Sequence, residues 1–296
     1  MPVSAVYLRH RRPVDYGVTP GSTTITRRGR ELFRRFLNVA NGAVQGASAD
    51  GEYTLVQSDT TEPAFAVGAL TLSGASGAVG GIINGVTLTA THGTTDILDA
   101  ALIAAVINAS SNALVQGFVT SSNLSATLTL STTVAGAAVD ICGYRLTARS
   151  GTAPNLNVSG SAQGFFDMSG SDTADALSLA TAINQMPGLS RWVSAISVAG
   201  VVHMFPRRYS FSSPTFSWPT GPGVPSNTII SNAASITASG ASFIPSVKVA
   251  LNACVPGVQG NAITVALSGT GVTVLGTQAR LIGGLGLNQV SITDGL

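Results

Sequence analysis

The run from Ile82 to Thr89 (IINGVTLT) ends in alternating apolar and hydroxyl-bearing residues, Val86 to Thr89, and then the spacing changes. Alternation with a period of two puts one side of a strand inside, so this run predicts a strand. A helix follows, opened by Thr95 or Asp96 and running to about Asn108. Leu98, Leu102, Ala105 and Ala109 recur at helical spacing on one face, with Ile103 and Ile107 beside them, and that stripe is expected to pack on the sheet. From Phe118 to Leu130 the alternation returns, and GFVTSSN and SATLTLST predict a strand pair.

The pattern recurs. Asp96, Asp99, Ala100, Ala104, Ile107 and Asn108 reappear with the same spacing as Asp172, Asp175, Ala176, Ala180, Ile183 and Asn184, six identities over the thirteen positions from 96 to 108. Aspartates at the head of a helix accept hydrogen bonds from free backbone N–H groups and sit at the positive end of its dipole. The alanines allow close approach to strands. Asn108 and Asn184 are expected to cap their helices in a left-handed backbone conformation. A self-similar stretch of this length implies a modular, duplicated fold.

Residues 1–63 form a different zone. VYLRHRRPVDYGVTPGSTTITRRG is basic and turn-rich, which predicts an extended arm, and GRELFRRFLNVANG predicts a short amphipathic helix. A first β/α module occupies about 64–160, with a turn expected within GASGAVGG. A second occupies 161–296, with its helix at Asp172 to Asn184 and strands at RWVSAISVAG and VVHMFP. CVPGVQGNAITVALSGTGVTVLG mirrors TVAGAAVDICGYRLTARSGTAPNLNVSG of the first. An insertion at about 205–228 interrupts the second module. It holds Pro206, Pro214, Pro219, Pro222 and Pro225 among Tyr209, Phe211, Phe216 and Trp218, which disfavours regular structure and suggests a contact surface. The fold class is therefore α+β and β-rich: two duplicated β-β-α-β-β modules behind an extended N-terminal arm.

Composition then decides how the surface is read. Charged residues make up 9% of the chain, against about 25% in ordinary soluble domains. A surface so poor in charge is expected to be covered by neighbouring subunits. Eight arginines (Arg9, Arg11, Arg12, Arg27, Arg28, Arg30, Arg34, Arg35) crowd the first 35 residues, whereas Lys248 is the one lysine. The forked guanidinium suits planar contacts with carboxylates or phosphates at an interface. These eight arginines, with Tyr209, Phe211, Phe216 and Trp218, are the expected subunit-interface residues. Nucleic-acid binding by the arm is set aside because Tyr7, Tyr16, Phe33 and Phe36 fall into no stacking module.

Chemistry is hard to place. His10, His92 and His203 lack metal-ligand spacing, acids are few and mostly helix-capping, and no G-x-S-x-G elbow occurs. Gly74, Gly77 and Gly80 match no phosphate-loop spacing. The expectation is a protein that is not an enzyme, with no cofactor and no metal. Cys142 and Cys254 are too few for a disulfide framework. Two free buried thiols are the ordinary expectation, and a disulfide between subunits is the alternative. The start MPVSAVYLRHRRP reads as no signal peptide, and no apolar run is long enough for a membrane span.

The run Ile83-Asn84-Gly85-Val86 through Val106-Ile107-Asn108, echoed at Ala182-Ile183-Asn184, resembles the flagellin hook IN motif. Similar modules recur in tailed-bacteriophage virion proteins, joined to segments like the G-x-x-G-N-x-I-T present from Gly257 to Thr264. Flagellar hook-associated proteins carry long heptad-rich helices at both ends, and this chain does not. The resemblance thus implies a virion structural protein of tail, neck, collar or capsid-associated type, assembled in the host cytoplasm with copies of itself and other virion proteins. A phage-surface decoration or carbohydrate-binding adhesin is the alternative, with Trp218 and Phe216 as its candidate cluster.

Overall fold

The computed structural model describes residues 64–284 apart from 152–161, 169, 187, 255, 277 and 278, together with three short strands nearer the N-terminus. The chain divides into two units, Met1–Pro63 with Gly286–Leu296, and Ala64–Leu285. In the first, β1 (Thr24–Thr26), β2 (Ala43–Ala47) and β3 (Glu52–Val56) form an antiparallel sheet in the order β1-β3-β2. The helix expected in GRELFRRFLNVANG lies outside the described residues.

The second unit is β-rich and holds two α-helices among its described residues. Its central sheet has eight strands. Six follow the order β10-β11-β6-β16-β4-β17, with β15 also paired to β6 and β5 to β4. They are β4 (Val67–Ile83), β5 (Val86–Thr91), β6 (Val119–Leu130), β10 (Val193–Val198), β11 (Val201–Pro206), β15 (Ile236–Ala238), β16 (Ile244–Ala253) and β17 (Val265–Val274), all antiparallel. A four-stranded sheet runs β14-β7-β8-β9, from β7 (Ala138–Ile141), β8 (Tyr144–Arg149), β9 (Gln163–Asp167) and β14 (Ile229–Ser231), with β8 and β9 parallel. Strands from the stretches 64–160 and 161–284 thus interleave within one sheet.

Two-residue turns make the tight connections. Asn84-Gly85, Cys142-Gly143 and Ala199-Gly200 each have both φ angles positive. This is the backbone that matches the twist of flanking strands, and it joins β4 to β5, β7 to β8 and β10 to β11.

Helix α1 (Asp96–Ala109) is capped by Thr95, whose Oγ1 accepts the Leu98 N–H at 3.2 Å. Helix α2 (Asp172–Gln185) is capped by Ser171, which accepts from Ala174 in the same way. The apolar core under α1 joins Ile103, Ala104 and Ile107 to Leu70, Ile83, Leu124 and Val249. A second core, between α2, the four-stranded sheet and the far half of β6, joins Leu179 and Ile183 to Leu128, Ile141, Leu146 and Phe166. The central sheet also curls. Ile196 and Phe205 of β10 and β11 meet Val67, Ala69 and Ala250 of β4 and β16 on the face away from both cores, and Ser194 Oγ donates to Asn252 Oδ1 at 2.5 Å.

Four local expectations need correction. The turn expected within GASGAVGG does not form: β4 continues through it for 17 residues. Gly74 and Gly77 take positive φ angles, but the strand absorbs them where its register against β17 shifts. The distortion is held from a distance, because Asp96 accepts the Gly74 and Ala75 N–H groups at 2.9 and 3.0 Å. The strand pair expected over Phe118 to Leu130 is one 12-residue strand, β6, in which Ser121, Ser122 and Asn123 are buried instead of turning.

In α1 the buried face centres on Ala100, Ile103, Ala104 and Ile107, while Leu98, Leu102 and Ala105 are half-buried and Ala109 is exposed. Asp99 faces inward as well and accepts the Gly93 N–H, so the buried face includes a carboxylate and is rotated from the predicted stripe. Finally, neither Asn108 nor Asn184 has a left-handed backbone: the caps are Ser110 and Met186, both extended.

Candidate functional site

The two helix-end asparagines hold strands instead. Asn108 accepts the Ser121 N–H at 2.9 Å and donates to the Ser121 carbonyl at 2.7 Å. Asn184 does the same to Ala195, at 2.8 Å for both bonds. A primary amide has one acceptor and two donors, so it satisfies both backbone groups of one residue. Asn227 clasps Phe243 and Asn261 clasps Gly284 in the same manner. Asn261 belongs to the G-x-x-G-N-x-I-T segment, and Asn84 of the I-N-G-V segment accepts from Thr264 N–H at that segment's end, at 3.0 Å.

The insertion docks on one of these joints. β12 (Ser210–Ser212) and β13 (Thr215–Ser217) form a short hairpin, so the segment is more regular than its prolines suggest. Phe216 lies in the core under α1, with Tyr209 edge-on at 5.1 Å and Phe211 at 4.6 Å. The Tyr209 hydroxyl hydrogen-bonds at the Asn108–Ser121 clasp, and burial raises its pKa. Of the four aromatics singled out from sequence, Phe211 stays exposed at the hairpin, while Phe216 is a core residue.

Trp218 goes elsewhere. It stacks on Phe243 at 5.3 Å, lies 6.2 Å from Trp192, and donates its indole N–H to the Pro225 carbonyl. The Arg208 guanidinium sits 4.8 Å over Trp192. Sequence reasoning paired Trp218 with Phe216 and missed this grouping, although the chain has only two tryptophans and each is half-buried here. The eight arm arginines, Arg9, Arg11, Arg12, Arg27, Arg28, Arg30, Arg34 and Arg35, lie outside the described residues. Cys142 and Cys254 are free thiols; Cys142 is buried, which pushes its pKa up to about 12.

Three polar groupings bear side chains capable of chemistry. His92 Nδ1 lies 2.7 Å from Asp99 Oδ2, with Asp99 fully buried and His92 about one-third exposed. A carboxylate that orients an imidazole is a catalytic element only beside a nucleophile or substrate. The matching Asp175 accepts the Gly170 N–H as Asp99 accepts Gly93, but with no histidine in the matching place. What the two share is a clamp on the chain entering each helix. Second, Arg207 lies 3.2 Å from the Phe65 ring centroid and donates to the Ala253 carbonyl. Its Nη1 is buried without a partner among the described residues, and burial lowers its pKa to about 9. Third, His203 and Lys248 approach each other on the curled face of the sheet. Burial lowers both pKa values, His203 to about 4.

Acidic groups are used up internally. All six carboxylates between 64 and 284 accept hydrogen bonds from within the chain: Asp96, Asp99, Asp172 and Asp175 at the helix starts, Asp167 from Gly151, and Asp140 from Arg145 through two bonds of 2.8 Å. Arg145 holds the Asp140 carboxyl below its usual pKa. Among the described residues no group of three or more metal-binding side chains occurs, and no helix is long and apolar enough to cross a membrane. No protein-family model, curated protein or solved structure matches this chain.

Proposed function

We propose that this protein is a structural subunit of a bacteriophage virion, of tail, neck or collar type, which assembles into rings through its basic arm and its insertion hairpin. The observation that carries the reading is the balance of the exterior. Every carboxylate of the described second unit is engaged within the chain. Meanwhile large apolar side chains such as Leu114, Phe118, Val134, Leu177 and Ile244 stand more than 40% exposed. A free monomer keeps itself soluble with mixed surface charge. An outside made of hydroxyls and scattered aliphatics is better suited to burial against copies of itself and other particle proteins.

The chain is also read as one hairpin, helix and strand unit used twice. Support comes from the caps at Thr95 and Ser171, the clamps at Asp99 and Asp175, and the clasps at Asn108 and Asn184. Sedimentation velocity of the purified protein, with electron microscopy of virions labelled against it, tests the proposal. Ring-sized particles and virion labelling are the expected result. A protein that stays monomeric and is missing from virions overturns it.

The grouping of Trp192, Trp218 and Arg208 favours a second reading, a surface protein that binds carbohydrate. Saturable binding on a glycan array, abolished by Trp218→Ala, would select it.

A further inference from the structure

An antiparallel strand points the N–H and C=O of alternate residues to opposite sides, so every sheet ends in two rows of backbone groups that need partners. The path of the central sheet ends at β10 and β17. At β10 the outward residue Ala195 is taken at both groups by Asn184. At β17 the Asn84 N–H goes to the Thr264 carbonyl and the Leu275 N–H to the Ala69 carbonyl. The alternation therefore turns Val265, Leu267, Val272 and Val274 outward. Val265 N–H is met by the Ala279 carbonyl. The other three have no backbone partner on that side among the described residues. Leu267 is 43% exposed, and the strand, VALSGTGVTV, carries no charge and no proline, the features that commonly blunt an edge. Of the two strands off this path, β5 is six residues long and lies against α1, and β15 is three residues long.

We infer that β17 pairs with β17 of a second copy, antiparallel across a two-fold axis. The partner follows from the opposite end of the sheet. Head-to-tail extension would need the β10 edge of the next copy, which its own Asn184 already occupies. A neutral strand of valine, threonine and leucine can lie against itself without like-charge repulsion, and a contact of the same patch with itself closes as a pair. Joined to a ring, this contact stacks two rings face to face. The inference rests on the reading that the protein assembles with copies of itself.

The test uses the full-length protein, with sedimentation velocity and backbone hydrogen exchange on the wild type, Leu267→Lys, Thr270→Lys, and Thr181→Lys as a control on α2. Circular dichroism checks that each variant folds. Both β17 variants are expected to halve the mass of the assembly and to speed exchange at Leu267, Val272 and Val274, while Thr181→Lys behaves as wild type. An assembly in which those three amides exchange as fast in the wild type as in Leu267→Lys overturns the edge pairing and leaves the assembly reading standing. Unchanged mass in both folded β17 variants has the same meaning. A wild type that is monomeric at every concentration overturns both.

Discussion

At the β10 end of the central sheet, Ala195 presents its N–H and C=O outward and the Asn184 amide takes both at 2.8 Å. At the β17 end, Leu267, Val272 and Val274 present theirs to no described residue. The first edge is closed because α2 ends beside it with an asparagine in register. The second follows a 3-10 turn at Val258–Ala262, and only its start is covered, by Ala279 and by the bridge from Thr264 to Arg280. The contrast shows how a chain with few charges manages strand edges: a helix supplies an amide at the closed edge, and the other edge is left plain by the described residues.

Substitutions should have unequal consequences at the two ends. Ala195→Pro removes an N–H that is buried and bonded, so it is expected to cost more than about 3 kcal/mol and to prevent cooperative folding. Urea denaturation followed by fluorescence of Trp192 and Trp218 reads this directly. Asn184→Ala leaves the Ala195 pair unsatisfied and is expected to cost about 2–3 kcal/mol. Its denaturation midpoint should fall, with aggregation in the transition region as the edge opens.

Acid is the next probe. His203 on β11, beside the closed end, has a folded pKa lowered by burial to about 4 from an ordinary 6.5. Between those values the unfolded chain binds the proton and the folded chain does not. Stability is therefore full above pH 6.5 and falls as the pH drops toward 4, by about 2 kcal/mol after allowance for the partly exposed ring. His203→Gln should flatten that window. β17 carries no titratable side chain, so His203→Gln should leave the acid response of exchange at Leu267 unchanged. The smallest effect is expected for Leu267→Lys on the stability of the single chain, within about 0.5 kcal/mol, which separates a change of assembly from a change of fold.

Local patterns were legible in the sequence and distant partners were not. α1 starts and ends within a residue of its predicted limits because Thr95, Asp96 and the apolar spacing act over a single turn. The same holds for α2 from Asp172. Asn108 and Asn184 were recognised as paired positions but assigned to backbone capping, since nothing local says that Ser121 and Ala195 will lie opposite them. β4 was broken at its glycines for the same reason. Gly74 and Gly77 normally signal reversal, and the partners that keep the strand going are distant: Asp96, 22 residues beyond Gly74, and β17 along most of its length. β6 was split at Ser121-Ser122-Asn123, where polar residues usually mark a turn, yet Ser121 Oγ donates to the Ala250 carbonyl 129 positions away. The proline-rich insertion hid Phe216 as a core residue because its burial depends on β13 docking against β6 and β16. The open and closed edges follow from strand order, which periodicity does not encode.

One consequence follows from the amide clasps at Asn108, Asn184, Asn227 and Asn261. Ion pairs weaken as counterions accumulate, whereas a neutral amide bonded to a neutral backbone is almost indifferent to ionic strength. Four long-range joints of this molecule should therefore hold equally well in dilute buffer and in concentrated salt, a useful property for a part that must keep its shape wherever it is carried.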